Sequence, residues 1–153
     1  MYEDYLQKAL GNIITSRGAL YEYNGHPHTK LGKNLKNIAA YNVQQAIEHI
    51  LKYLIYNNVG YNHGDNNIKQ ILTHDIDRLV TVYCIPLGIT VPKNIIRNSA
   101  TYSSWEAESR YSLNFTVRKD SIYHAIWETE DWIISINSRH RASILHYRKK
   151  YRL

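Results

Sequence analysis

Between Ile38 and Ile55, in the most hydrophobic stretch of the chain, stand Gln44, Gln45, Glu48 and His49. At about 100° per residue, Tyr41, Gln45, Glu48 and Lys52 fall on one stripe of a helix, with Asn42 and His49 beside it. Glu48 precedes Lys52 by four residues, the order in which a helix-surface ion pair contributes a few tenths of a kcal/mol. Two readings fit the pattern: a solvated face with one ordinary ion pair, or a polar strip at a dimer interface or ligand groove. A second concentration of chemistry is the tail SRHRASILHYRKKYRL, residues 138–153, where Tyr147 and Tyr151 interleave with six cations. Such a run can follow a phosphate backbone while tyrosines stack on bases. Cations also complement the C-terminal dipole of any helix. His26 and His28 have no Cys or carboxylate near them in sequence and read as loop histidines rather than metal ligands. No Gly-rich phosphate loop and no serine-nucleophile motif is present.

Helices must position these residues. Leu6, Ala9, Leu10, Ile13, Ile14 and Leu20 recur near a helical period and predict a first helix over residues 5–22, although Gly11 and Gly18 each weaken it by about 1 kcal/mol relative to Ala. Residues 24–33 hold Gly25, Pro27 and Gly32 and read as a loop. Val43, Ile47, Ile50 and Leu54, widened by Ala40, Ala46 and Leu51, predict a second helix from about Asn34 to Tyr56. After an Asn- and Gly-rich loop at 57–67, Thr73 is placed to cap a third helix, with Asp75 and Asp77 in its first turn and Ile76, Leu79, Val80 and Tyr83 on its apolar face. The segment CIPLGITVP, from Cys84, reads as a loop in preference to a short strand, for no partner strand is evident. Ser103 and Glu106 form a capping-box pattern, so the next helix starts at Asn94 or restarts at Ser103. A final helix is expected from Asp120 to Tyr147. The sum is one domain over residues 1–153, an all-α, up-and-down bundle of four to five helices, with the basic run 138–153 at its end. Apolar positions stop near Ile144 and Leu145, so residues 148–153 are expected to be a separable arm.

Charge distribution sharpens this. Of the 19 Lys and Arg, six lie in 138–153, which hold no acid: Arg139, Arg141, Arg148, Lys149, Lys150 and Arg152. The other 13 balance the 13 Asp and Glu, so the whole net charge of +6 belongs to the C-terminus. The single cysteine, Cys84, permits no internal disulfide and fits a reducing cytoplasm. Residues 1–20 lack the pattern of a signal peptide, and no apolar run approaches the roughly 20 residues of a membrane span. Fourteen tyrosines beside one phenylalanine hint at an interface, and apolar residues on several sides of the second helix predict a homodimer.

The stretch AAYNVQQAIEHILKYLI resembles the signature helix of HEPN domains, small helical bundles of prokaryotes, through Gln44, Gln45, Ala46, Ile47, Glu48, Leu51 and Lys52. THDIDRL at 73–79, with His74, resembles the start of that family's third helix, and ESRYS at 108–112 resembles the Arg-Tyr, here Arg110 and Tyr111, that closes its fourth. The three pieces occur in the family's order and span roughly residues 35–135. The resemblance implies a nucleotide- or RNA-binding module that dimerises through its long helices, with a nucleotidyltransferase as partner for many members. Some members are metal-independent ribonucleases, in toxin–antitoxin or defence systems, that use an Arg followed four to six residues later by His. There the Arg holds the phosphate and its developing charge, and the His moves a proton at the ribose 2′-hydroxyl, so no cofactor is needed. The resemblance places that role on Arg118 and His124, although Lys119 stands where the family usually has Asn. Arg139 or Arg141 with His146 repeats the spacing later, and Arg139 and His146 would share a face of one continuous helix. Gln45, Glu48, Lys52, His74, Arg110, Tyr111, Arg139, Arg141, His146, Arg148, Lys149 and Lys150 are the remaining candidates for contacting RNA or nucleotide. Two roles compete: an RNA-cleaving enzyme, and a non-catalytic binding or antitoxin-like partner of a nucleotidyltransferase.

Overall fold

The computed structural model describes residues 3–59, 71, 73–111 and 117–153, with residues 3 and 107–111 as backbone alone. Among them are seven α-helices and no strand: α1 (Glu3–Gly25), α2 (Lys30–Asn58), α3 (Ile76–Arg78), α4 (Lys93–Arg97), α5 (Ser99–Tyr111), α6 (Lys119–Ile136) and α7 (Arg141–Lys150). A π-helical turn, Leu79–Cys84, continues α3, and a 3-10 turn, Ser138–His140, leads into α7. The expected all-α class is therefore observed. No described helix is long and apolar enough to cross a membrane.

α1 and α2 form the largest contact among the described elements, and α2 also packs on α3, the π turn, α5 and α6. The pairs Tyr5–His49, Asn12–Asn42 and Ser16–Ala39 run in opposite senses along the two helices, so α1 and α2 are antiparallel. Their connection is tight. Thr29 Oγ1 accepts from Gly32 N at 2.9 Å and donates to the His26 carbonyl at 3.0 Å. This cap starts α2 at Lys30, four residues before the start read from periodicity. Gly32 is required there, because a Cβ would lie 1.7 Å from the His26 carbonyl oxygen. Gly18 serves a close approach too: a Cβ would stand 3.3 Å from the Tyr151 ring.

One chain covers α2 unaided from Ala39 to Ile55, every aliphatic residue there being buried or half-buried. Leu31 and Ile38 alone among its aliphatic residues stay exposed. Of the apolar surface that suggested a second copy, the part from Ala39 to Ile55 is covered within the bundle, and Ile38 is left exposed.

Several boundaries differ from expectation, each for a local reason. Asp75, not Thr73, caps α3, its carboxylate accepting from Arg78 N, while Thr73 Oγ1 closes a turn onto Asp75 N. Ser103 is interior to α5 and caps a different helix: its Oγ accepts from Ile76 N at 2.8 Å. α4 starts at Lys93 after Pro92, and α5 restarts at Ser99. In the CIPLGITVP segment a turn at residues 85–88 ends on Gly88, whose φ of 70° favours glycine. The final helix is broken. Asn137 takes an extended backbone, φ −147°, and its side chain accepts from Arg139 N, so the chain turns before α7 begins.

Candidate functional site

Gln44, Glu48 and Lys52 recur every four residues on α2 and face the segment that enters α3. That segment is pinned twice: Tyr56 Oη accepts from Ile71 N at 2.8 Å, and Gln44 Nε2 donates to the His74 carbonyl at 3.2 Å. The Glu48 carboxylate is 2% exposed. Its Oε1 accepts from Lys52 Nζ at 2.8 Å and lies 2.9 Å from His74 Nδ1, while Oε2 accepts from Gln44 Nε2 at 3.3 Å. Gln45 Nε2 donates to Gln44 Oε1 at 2.7 Å and carries the network toward the surface. A buried carboxylate is tolerable only with such partners, since desolvating an unpaired charge is costly. The strip on α2 is therefore not a solvated face. Gln45, Glu48, Lys52 and His74, drawn from two separate stretches of sequence, come together here.

A second polar chain runs between α1 and α2. Asn42 Nδ2 donates to the Ile38 carbonyl, Asn12 Nδ2 donates to Asn42 Oδ1, and His49 Nδ1 lies 2.9 Å from Asn12 Oδ1. Asn12 Oδ1 can only accept, so the hydrogen on His49 is assigned to Nδ1. Burial pushes the His49 pKa below its ordinary value; Glu48 opposes this, and Lys52, Lys8 and His74 add to it.

The other candidates lie elsewhere. Arg118 occupies the N-cap position of α6 without capping through its side chain, and both it and His124 are exposed. Six residues place them about 120° apart around the helix and about 9 Å along it. No hydrogen bond or ion pair joins them among the described residues, and His124 instead meets the Tyr123 ring edge-on. Arg139 sits in the 3-10 turn and His146 in α7, so the single helix on which they would share a face does not exist. Arg139, Arg141, His146, Lys149 and Lys150 are exposed. The side chains of Arg110 and Tyr111 lie outside the described residues.

Arg148 points inward. Its Nε donates to Glu130 Oε1 at 3.0 Å and its Nη2 to Asp131 Oδ1 at 2.7 Å. Burial works against its charge, but the bonds to Asp131 and Glu130 outweigh this and raise its pKa. From the opposite side Arg17, fully buried, grips Glu130 with two bonds of 2.8 Å and donates to the Tyr151 carbonyl at 2.9 Å. Both guanidinium groups lie over the Trp127 ring, at 4.9 Å for Arg17 and 4.1 Å for Arg148. Residues 148–153 are accordingly not a separable arm: they are tied to α1 and α6. Tyr151 also stacks on Tyr147 and meets Tyr21, with Lys150 over both Tyr147 and Tyr151. Tyr147, Lys150 and Tyr151 border an open groove of about 440 Å³ against Ile14 and Leu35.

Periodicity missed Arg17, Glu130 and Asp131. A signal was present: Arg17 stands four residues after Ile13 and three before Leu20, and Glu130 four after Ile126 and three before Ile133, each a charge on an apolar stripe. Comparison with protein-family models, curated proteins and solved structures finds no match.

Proposed function

We propose that this chain is a HEPN-like protein that binds RNA or nucleotide, its long helices α1, α2, α5 and α6 corresponding to an up-and-down bundle. One observation carries the reading. The Gln44–Gln45–Glu48–Lys52 stretch and the His74 stretch, chosen for their resemblance to two different helices of that family, meet in one polar network around the buried Glu48 carboxylate. Nothing in periodicity requires segments 26 residues apart to share a carboxylate. The exposed cations Arg139, Arg141, Lys149, Lys150 and Arg152 supply a basic surface at the α7 end that suits a phosphate backbone.

The test is a titration of a short single-stranded RNA, and of mononucleotides, with the full chain at several salt concentrations. Binding is expected, with log affinity falling against log salt by about 0.7 per phosphate contact. Replacing Lys149, Lys150 and Arg152 together by Ala is expected to flatten that slope by about 2 if all three touch phosphate. Gln45→Leu is expected to weaken binding while the protein stays folded. Absence of RNA and nucleotide binding at low salt would refute the reading.

A further inference from the structure

We propose that the groove between α1, α2 and α7 seats an amphipathic helix of a partner protein, its apolar face against α1 and α2 and its acidic flank toward α7. The groove holds about 440 Å³. Its floor is the outer ridge of α1, low at Thr15 and Gly18 and apolar at Ile14 and Ala19. Leu35 of α2 stands on one side, and Tyr147 and Tyr151, at the end of α7, stand on the other. The apolar surface of α2 runs on beyond the groove. Leu31 and Ile38, one turn to either side of Leu35, are 54% and 44% exposed, although the rest of the aliphatic surface of α2 is covered. Positions 31, 35 and 38 share one face of the helix, so they form an aliphatic strip about 10 Å long. An open trough with such a strip along one side has the shape that a helix with apolar residues at i, i+3, i+4 and i+7 fills.

Charge selects the occupant. On the α7 side Lys150 lines the groove, exposed, with its ammonium over the rings of Tyr147 and Tyr151. Arg152 follows it, also exposed, and residues 138–153 hold no acid. On the α2 side no acid occurs between Lys30 and Glu48. Glu22, at one end of the floor, is the one acid among the residues that line the groove. A partner helix with Glu or Asp on the edge facing α7 therefore meets a cationic rim and no opposing acid along it. A nucleic acid strand would suit the cations and the two tyrosines, but not the rest of the surface. Ile14, Leu31, Leu35 and Ile38 offer neither a stacking plane nor a hydrogen bond, and they gain only by being covered with apolar atoms. The proposal goes beyond the RNA-binding reading and does not rest on it.

The experiment titrates the full chain into a fluorescently labelled synthetic helix of about 14 residues, with Leu at i, i+3, i+4 and i+7 and Glu along one flank, and follows anisotropy. A second peptide carries Lys in place of Glu. Saturable binding of the Glu peptide is expected, tighter than that of the Lys peptide. Leu31→Gln combined with Ile38→Gln, both at exposed positions, should weaken it at least about tenfold, with the thermal midpoint of the protein unchanged. Lys150→Glu should weaken the Glu peptide about threefold or more and narrow or reverse the preference over the Lys peptide. Absence of saturable binding by the Glu peptide overturns the proposal, as does equal binding of the two peptides, or affinity that neither variant alters. A free chain that sediments as a dimer dissolved by the Leu31→Gln, Ile38→Gln pair gives the strip to a second copy and also overturns it. A short single-stranded RNA whose affinity falls in that double variant, while the peptide's does not, does the same. A chain that binds the Glu peptide but no RNA leaves the proposal standing and ends the RNA-binding reading alone.

Discussion

Glu130→Gln removes one charge from the centre of the Arg17–Glu130–Arg148 network while keeping side-chain volume. Arg17 is fully buried, and its guanidinium would face an amide whose oxygen replaces two carboxylate acceptors and whose NH₂ opposes a donor. It keeps the Tyr151 carbonyl and the Trp127 face. Leaving a buried charge without its partner costs about 3–5 kcal/mol. A domain of this size has a total stability of about 5–15 kcal/mol. With about 2–4 °C lost per kcal/mol, the midpoint of thermal unfolding should fall by about 6–20 °C. Arg148→Gln should cost less, about 1–3 kcal/mol, because Glu130 retains both Arg17 bonds and the site of Arg148 is partly open to water. Urea denaturation followed by circular dichroism measures both variants. Arg17→Met combined with Glu130→Leu should recover most of the loss, since an apolar pair of similar volume removes the fully buried charge and Arg148 keeps its bond to Asp131. A Glu130→Gln variant that loses less than about 1 kcal/mol would refute the reasoning, for Arg17 would then have other means of solvation.

Gly32→Ala should destabilise by about 1–3 kcal/mol, because its Cβ would meet the His26 carbonyl oxygen, whereas Gly11→Ala, with nothing within 4 Å, should stabilise by about 0.5–1 kcal/mol; chemical denaturation of the two variants checks the contrast. Deleting residues 148–153 should lower the unfolding midpoint as well as RNA affinity, since it strips Glu130 and Asp131 of Arg148 and Arg17 of the Tyr151 carbonyl; an unchanged midpoint in a thermal scan would contradict the tie to α1 and α6. Because the folded-state pKa of His49 lies below 6.5, its unfolded form binds protons more readily, so its contribution to stability is complete above pH 6.5 and is lost as pH falls through the lowered value. Urea midpoints at pH 8 and pH 5.5 should therefore differ less in His49→Gln than in the parent. Burial pushes the Cys84 thiol up to about 12, so it should resist thiol reagents at pH 8 until urea unfolds the chain.

The helical class, the central place of α2 and the cationic end of the chain were all legible in local pattern. Each depends on residues within three or four positions of one another, and a 3.6-residue period records such relations directly. Cap chemistry was legible only in kind. The α3 cap falls to Asp75, and Ser103 serves the N-terminus of α3 from within α5, because a cap is decided by which oxygen reaches a free N–H in space. The break at Asn137 was hidden in an apolar pattern that runs on from Ile136 to Ile144, yet it redirects α7 and turns Arg148 inward toward Glu130. What tertiary structure alone decided is which polar residues meet. Arg17 and Glu130 are 113 positions apart, and His74 and Glu48 are 26 apart. Periodicity assigns a residue to a face of its own helix, but a carboxylate finds its cation only once two helices have docked at a given depth and rotation. The apolar packing that sets that docking, and not the charges, determines the pairings.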